Sequence, residues 1–161
     1  MIFDGYSFVV LGEPAPKGSM RAILMRGKPL LIPGGSKQNA KALRAWDKSV
    51  KDAVVELMHG TAPPFYVEKP LELHLLFKLV RAKSNHSTHP TVKPDIDKLT
   101  RAVLDSLTGL LYDDDSRIAV LQAQKQWARH DEQGCVITVR ALPVEEAAQL
   151  ALGVEELAFG V

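Results

Sequence analysis

Cysteine is almost absent from this chain, which holds one, Cys135, among 161 residues. A lone cysteine closes no intrachain disulfide, so folding does not depend on an oxidising compartment. Cys135 opens the apolar run Cys135-Val136-Ile137-Thr138-Val139, where a small buried hydrophobe is expected rather than a nucleophile. No apolar run approaches the ~20 residues of a bilayer span, and no basic-then-apolar leader is present. Those absences predict a cytoplasmic protein with no membrane partner. Internal repeats and low-complexity tracts are missing too. Charge of one sign is nearly missing as a sum, at +1, and that figure alone argues neither for nor against a nucleic-acid partner.

What is present is ordinary in amount and uneven in placement. Apolar residues make up 46% and charged residues 24% of the chain, as in soluble globular proteins. A chain of this length fits one domain and buries roughly 70% of its unfolded surface. From Ala15 to Lys48 there are eight bases (Lys17, Arg21, Arg26, Lys28, Lys37, Lys41, Arg44, Lys48) and one acid, Asp47. From Thr91 to Asp115 there are six aspartates. A basic first third can track phosphates and an acidic middle can hold cations. Chance clustering on a solvated surface is the plain alternative.

Periodicity supplies the elements. Tyr6 to Leu11 reads as a strand, and Ala22–Met25 with Leu30–Ile32 reads as a hairpin around Arg26-Gly27-Lys28-Pro29. Leu43, Trp46, Val50, Val54 and Leu57 recur at helical spacing between Asn39 and His59. Leu71, Leu73, Leu75, Phe77 and Leu79 alternate with polar residues, which predicts a strand with one buried face. Residues 81–94 read as a mobile basic loop. Ile96, Leu99, Val103, Leu104 and Leu107 again have helical spacing, with Gly109 at the cap. Arg117–Trp127 and Cys135–Leu142 read as strands joined by a turn, and residues 145–158 as a final helix. The expected fold class is α+β (mixed α/β): one compact domain over 1–161, a mixed β-sheet with helices packed on it, and a C-terminal helical extension over 143–161.

The chemistry concentrates in Lys93-Pro94-Asp95-Ile96-Asp97-Lys98-Leu99-Thr100-Arg101, continuing to Asp105 and to Tyr112-Asp113-Asp114-Asp115-Ser116-Arg117-Ile118. Pro94 is tolerated only at a helix start, so Asp95 and Asp97 fall at the first turn, where negative charge is favoured. They can therefore be simple capping acids. Asp97, Arg101 and Asp105 share one helix face at i, i+4, i+8, and no turn requires three consecutive aspartates. If the strand from Ser116 lies beside the helix N-terminus, Asp114 or Asp115 can face Asp95 and Asp97. Converging carboxylates want a cation between them, and Mg²⁺ takes such oxygen ligands while keeping waters and phosphates. A site of that kind activates water against a phosphodiester, and Arg101 can orient a carboxylate or the phosphate.

The same residues resemble the signature of the RusA family of Holliday junction resolvases, from bacteria and their phages. The likeness runs through Pro94-Asp95-Ile96-Asp97-Lys98-Leu99, Arg101, Leu104-Asp105-Ser106-Leu107, Gly109, Tyr112 and Asp114-Asp115-Ser116-Arg117-Ile118. Gly12-Glu13-Pro14-Ala15-Pro16-Lys17-Gly18-Ser19-Met20-Arg21 is similar to the family's opening. The resemblance covers about residues 6–142. It implies a Mg²⁺-dependent endodeoxyribonuclease, with Mn²⁺ able to substitute and no organic cofactor, which resolves four-way DNA by paired symmetric phosphodiester hydrolysis in recombination and repair. It implies a two-fold homodimer, since two symmetric nicks call for two identical sites.

Carried across residue by residue, it assigns catalysis and metal binding to Asp95, Asp97 and Asp115, with Asp114 in support and Arg101 in the catalytic group. Asp113 falls outside the match and is expected to be solvated. Asp105 is expected to pair with Arg101. Lys17, Arg21, Arg81, Lys83, Lys93 and Lys98 are the DNA-binding candidates, with His86 and His89 as polar loop residues. Two positions depart from the family: Lys98 replaces an asparagine, and Arg101 replaces a lysine with a planar fork. Those departures leave open a relative that binds branched DNA without cutting. A haloacid-dehalogenase-type phosphotransferase with an Asp-x-Asp site is disfavoured, because Thr91-Val92-Lys93-Pro94 is not the apolar strand such a site ends. A non-enzymatic module with an acidic surface loop is the remaining alternative.

Overall fold

The computed structural model describes residues 5–18, 20–33, 36–59 and 69–143. In chain order the elements are β1 (Gly5–Leu11), β2 (Met20–Met25), β3 (Lys28–Pro33), α1 (Lys37–Leu57), β4 (Leu71–Val80), α2 (Ile96–Leu107), β5 (Ile118–Ala128) and β6 (Gly134–Ala141). One-turn 3₁₀ helices at Asp115–Arg117 and His130–Glu132 precede β5 and β6. The expected single domain with a mixed sheet and packed helices is what forms. The helix expected over 145–158 lies outside the described residues.

The alternation in β4 makes it the centre of the main sheet, whose order is β1-β6-β4-β5. β4 runs antiparallel to β6 and parallel to β5. A parallel neighbour cannot be reached by a tight turn, so the chain crosses over through residues 81–95 and α2. Both helices cover the face that bears Leu73, Leu75 and Phe77. Trp46, Val50 and Val54 from α1 meet Leu99, Ala102, Val103 and Leu107 from α2 in one core. Ser106 Oγ on α2 donates to Asp47 Oδ1 on α1 at 2.7 Å, tying the helices together. Among the described residues no helix is long and apolar enough to cross a membrane.

The hairpin is separate. β2 and β3 pair only with each other, as a two-stranded sheet. Arg26 and Gly27 have φ of 51° and 73°, the paired left-handed geometry of a two-residue hairpin turn.

Two buried titratable side chains lie in the sheet, and one of them, Glu72, breaks its apolar pattern. Cys135 is fully buried, as expected, and burial pushes its thiol up to about 12. It should therefore resist thiol alkylation at pH 8 until the protein is unfolded; rapid labelling of the native protein would contradict that burial. Glu72, 7% exposed, faces the Arg140 guanidinium across the β4–β6 ladder and accepts from His74 Nε2 at 2.8 Å. Burial works to raise the Glu72 carboxyl, but Arg140 and His74 outweigh it and hold it below the usual range. A depressed folded-state value stabilises the protein above the unfolded value, about 4.3, and that stability is lost as pH falls through the folded value. Glu72→Gln should accordingly flatten the acid limb of the Tm-versus-pH curve below about pH 5. An acid limb unchanged by this variant would assign the acid sensitivity elsewhere.

Candidate active site

The site is built on the connection between β4 and α2. Arg81 lies over the Trp127 ring, 5.5 Å from its centroid, and Trp127 Nε1 donates to the Ser87 carbonyl at 2.9 Å. Lys125 Nζ donates to the carbonyls of Val92 at 2.9 Å and Pro94 at 3.0 Å. These contacts fasten the loop to β5, which corrects the expectation of a mobile loop: its unpaired carbonyls are claimed by donors from the neighbouring strand. Sequence reasoning missed Lys125 and Trp127. No sequence signal marked their partners: only the strand pairing, Lys125 with Phe77 and Trp127 with Leu79, puts both polar tips on the side the helices cover. Lys125 holds the segment that leads into Asp95. Lys125→Met should loosen that segment, read as faster amide hydrogen exchange around residues 91–97 with little change in global unfolding. Unchanged exchange there would mean that other contacts hold the segment.

α2 begins at Ile96 with Asp95 at the N-cap, yet the Asp95 side chain makes no capping hydrogen bond. Its Oδ2 instead accepts from Lys98 Nζ at 2.7 Å. That hydrogen bond and charge hold the Asp95 carboxyl below the usual range, with Lys93 and Lys125 adding to the effect. The Lys98 ammonium is raised in turn, by its bond to Asp95 and by the charges of both Asp95 and Asp97. Asp97 is exposed in the first turn. Asp95 is thus not the capping acid that one reading allowed: the helix entrance holds a carboxylate pair with a cation already drawn to it.

Asp97, Arg101 and Asp105 are all exposed, on the face opposite Leu99, Val103 and Leu107. Asp105 does not pair with Arg101 as expected. It forms an ion pair with Lys17, because the N-terminal proline-rich loop lies along α2, where the Lys17 backbone N–H donates to the Lys98 carbonyl at 3.0 Å. Lys17, expected as a DNA contact, is therefore engaged with a carboxylate.

The helix ends at Leu107, and Gly109 adopts φ 79° just beyond its cap, a conformation suited to glycine. Tyr112 folds back, its hydroxyl donating to the Leu104 carbonyl at 3.2 Å. Burial pushes that hydroxyl's pKa up, with the Asp115 charge adding to it. Asp113 is not merely solvated: Arg117 clamps it through Nε at 3.2 Å and Nη2 at 3.0 Å. Asp114 caps the 3₁₀ helix by accepting from the Ser116 N–H at 2.8 Å. Asp115 is exposed in that helix's first turn.

β5 therefore starts at the C-terminal end of α2, because a crossover returns the chain to the opening end of a parallel neighbour. Twelve residues of helix, about 18 Å at 1.5 Å per residue, run between the Asp95/Asp97 pair and the Asp114/Asp115 pair. The juxtaposition entertained from sequence does not form within one chain. Among the described residues no three His, Cys, Asp or Glu side chains gather closely enough to share a metal ion. Asp95 and Asp97 lie two residues apart at the helix entrance, and Lys98 feels the charge of both; Asp115 stands apart with Asp114 and near Tyr112.

Of the other DNA-binding candidates, Arg81, Lys83 and Lys93 are exposed along the fastened loop and Lys98 is half-buried against Asp95. Arg21 sits in β2, its side chain outside the described set. His86 and His89 are exposed in the same loop.

Comparison with known proteins follows the same stretch of chain. A family model described as endodeoxyribonuclease RusA matches residues 16–140. A curated relative, the uncharacterized protein YqaN of Bacillus subtilis (strain 168), is 26% identical over 134 residues. That alignment covers 76% of this chain and 87% of the relative.

Proposed function

Since this chain belongs to the RusA endodeoxyribonuclease family, whose members act on branched DNA, we propose that it resolves four-way junctions by paired, Mg²⁺-dependent nicking. The observation that carries this reading is the Asp95 carboxylate, placed at a helix entrance but turned from the backbone N–H groups toward a cation. Hard divalent ions of the Mg²⁺ type need only one or two protein carboxylates beside waters and substrate phosphates, and Asp95 with Asp97 meets that requirement. Bound there, Mg²⁺ would supply the charge that generates a nucleophilic water and steadies the leaving oxygen.

The chain's own residues do the rest. The N-terminal N–H groups of α2 favour a phosphate near the pair. Arg101, one turn on and exposed, offers a planar fork for a phosphate oxygen. Lys83 and Lys93 hold flanking phosphates, with the salt dependence that such contacts carry. Asp115, at the far end of α2, serves the same centre only when a second copy supplies it, so the homodimer is part of the proposed site. Cytoplasmic location and a bacterial, phage or prophage source follow the same reading.

The test is cleavage of a synthetic four-way junction beside a linear duplex of matching sequence, with and without Mg²⁺. Symmetric paired nicks on the junction alone support the proposal. Tight junction binding without nicks in Mg²⁺ or Mn²⁺ would replace it with the non-cutting reading, for which the Lys98–Asp95 bond is the structural reason. That bond also makes Lys98→Asn informative: freed of its internal competitor, the pair should reach half-maximal cleavage at a Mg²⁺ concentration several-fold lower, given that ligand charge tunes ion affinity.

A further inference from the structure

We infer that the β2–β3 hairpin is an arm that enters the open centre of a branched DNA and distinguishes it from plain duplex; this rests on the reading just proposed. Among the described residues the hairpin forms its own sheet, hydrogen-bonded to no strand of the main one. A two-stranded hairpin in water is marginal by itself, yet this one exposes large apolar side chains at its tip: Leu24 is 79%, Met25 58% and Leu30 45% exposed.

Their placement indicates what covers them. Met25 pairs with Lys28 and Ile23 with Leu30, whereas Leu24 pairs with Pro29. Side chains alternate across a strand, so Met25 and Leu30 stand on one face and Leu24 on the other. Docking flat on a protein surface would bury one face and leave the other wet. Entry between two apolar planes buries both. The paired bases flanking a branch point offer such planes, and apolar wedges between base steps are an established way for proteins to open and kink DNA. A continuous duplex keeps those planes inside its stack.

Charge selects the same partner. Arg26 and Lys28 are exposed at the turn. The hairpin segment from Met20 to Pro33 carries Arg21, Arg26 and Lys28 and no acid. A tip with bases of one sign at its turn fits a polyanion and repels a basic partner. The tight turn at Arg26-Gly27 keeps the tip narrow, with Arg26 at its apex to meet phosphates and the apolar residues of the flanking strand ends immediately behind it.

The experiment compares the full-length protein with the double variant Leu24→Ser, Met25→Ser, in EDTA to prevent cleavage. Anisotropy gives Kd for a four-way junction and for a matching duplex. 2-Aminopurine at the branch point reports unstacking, and light scattering reports the oligomeric state. The variant is expected to bind the junction about tenfold more weakly, to bind duplex within about twofold of the unaltered protein, and to lose the 2-aminopurine signal. Unaltered thermal unfolding would show that it folds, and Leu24→Thr, a strand-compatible change at the most exposed position, should give the same trend. A folded variant with an unchanged junction-to-duplex ratio would overturn the inference alone. Loss of dimer in the variant would overturn it in favour of a second copy. Failure of the unaltered protein to bind branched DNA would overturn both this inference and the proposed function.

Discussion

Asp95→Asn is expected to lower junction cleavage by about a thousandfold or more, the scale on which removal of a metal ligand or central catalytic group is felt, while leaving the junction Kd within a few-fold. The neutral amide keeps the shape and loses the charge that draws a cation. Lys98 would lose its partner in the same step, so the helix entrance becomes net positive and DNA binding is preserved or tightened. Asp115→Asn should be as damaging, although its carboxylate stands near the other end of α2. A mixed dimer of the two variants separates the alternatives. If Asp115 serves the partner's Asp95/Asp97 pair, co-expressed Asp95→Asn and Asp115→Asn chains place both lesions in one centre and leave the other intact. Single-strand nicking then returns. If each chain holds its own complete centre, both remain broken and no nicking returns. Cleavage by Asp95→Asn equal to that of the unaltered protein would remove Asp95 from the catalytic centre.

Phe77→Ala should be the most damaging change away from the site. Phe77 is fully buried at the middle of the sheet, with Cys135 beside it on β6 and Lys125 on β5. Truncation of such a ring costs about 3–5 kcal/mol, combining lost transfer energy with an unfilled cavity. Domains are stable by only about 5–15 kcal/mol, so a large share of the total goes, with Tm down by roughly 10 °C. Urea unfolding at constant m measures it. A cost below about 1 kcal/mol would mean that the core collapses around the gap and is less tightly packed than the burial implies.

The elements were legible because their periods were strong. The alternation from Leu71 to Leu79 could only be a half-buried strand, and Trp46, Val50 and Val54 could only share one helical stripe. Strand order is a different matter. Nothing local in Ile118–Ala128 states that it lies parallel to β4 rather than forming a hairpin with β6, and that one choice decides which end of α2 receives Asp115. The family signature named Asp95, Asp97 and Asp115 together, and within one chain the fold separates them. Ion-pair partners were equally illegible: Asp105 prefers Lys17 over Arg101 because a loop eighty-eight positions away in sequence lies along the helix. Lys125 escaped notice for the opposite reason. It stood on the covered side of a strand, and a charged residue in such a place is a question about partners that the sequence alone does not answer.

The pairing of β1 with β6 has a consequence in time. Gly5 lies against Arg140 and Leu11 against Gly134, where an added Cβ at Gly134 would overlap the Val10 carbonyl. Among the described strands β1, synthesised before the others, thus waits for β6 before it has a neighbour. Contacts of such long sequence separation slow folding, and a nascent chain that must hold an unpaired, partly apolar strand meanwhile is exposed to aggregation. At about 5–20 residues per second of synthesis, that wait lasts on the order of ten seconds. Until then β4 can gather its helices and β5, but the sheet stays open on the β6 side. Chaperone demand for this protein should therefore be set less by its stability once folded than by how fast residues 134–141 are delivered.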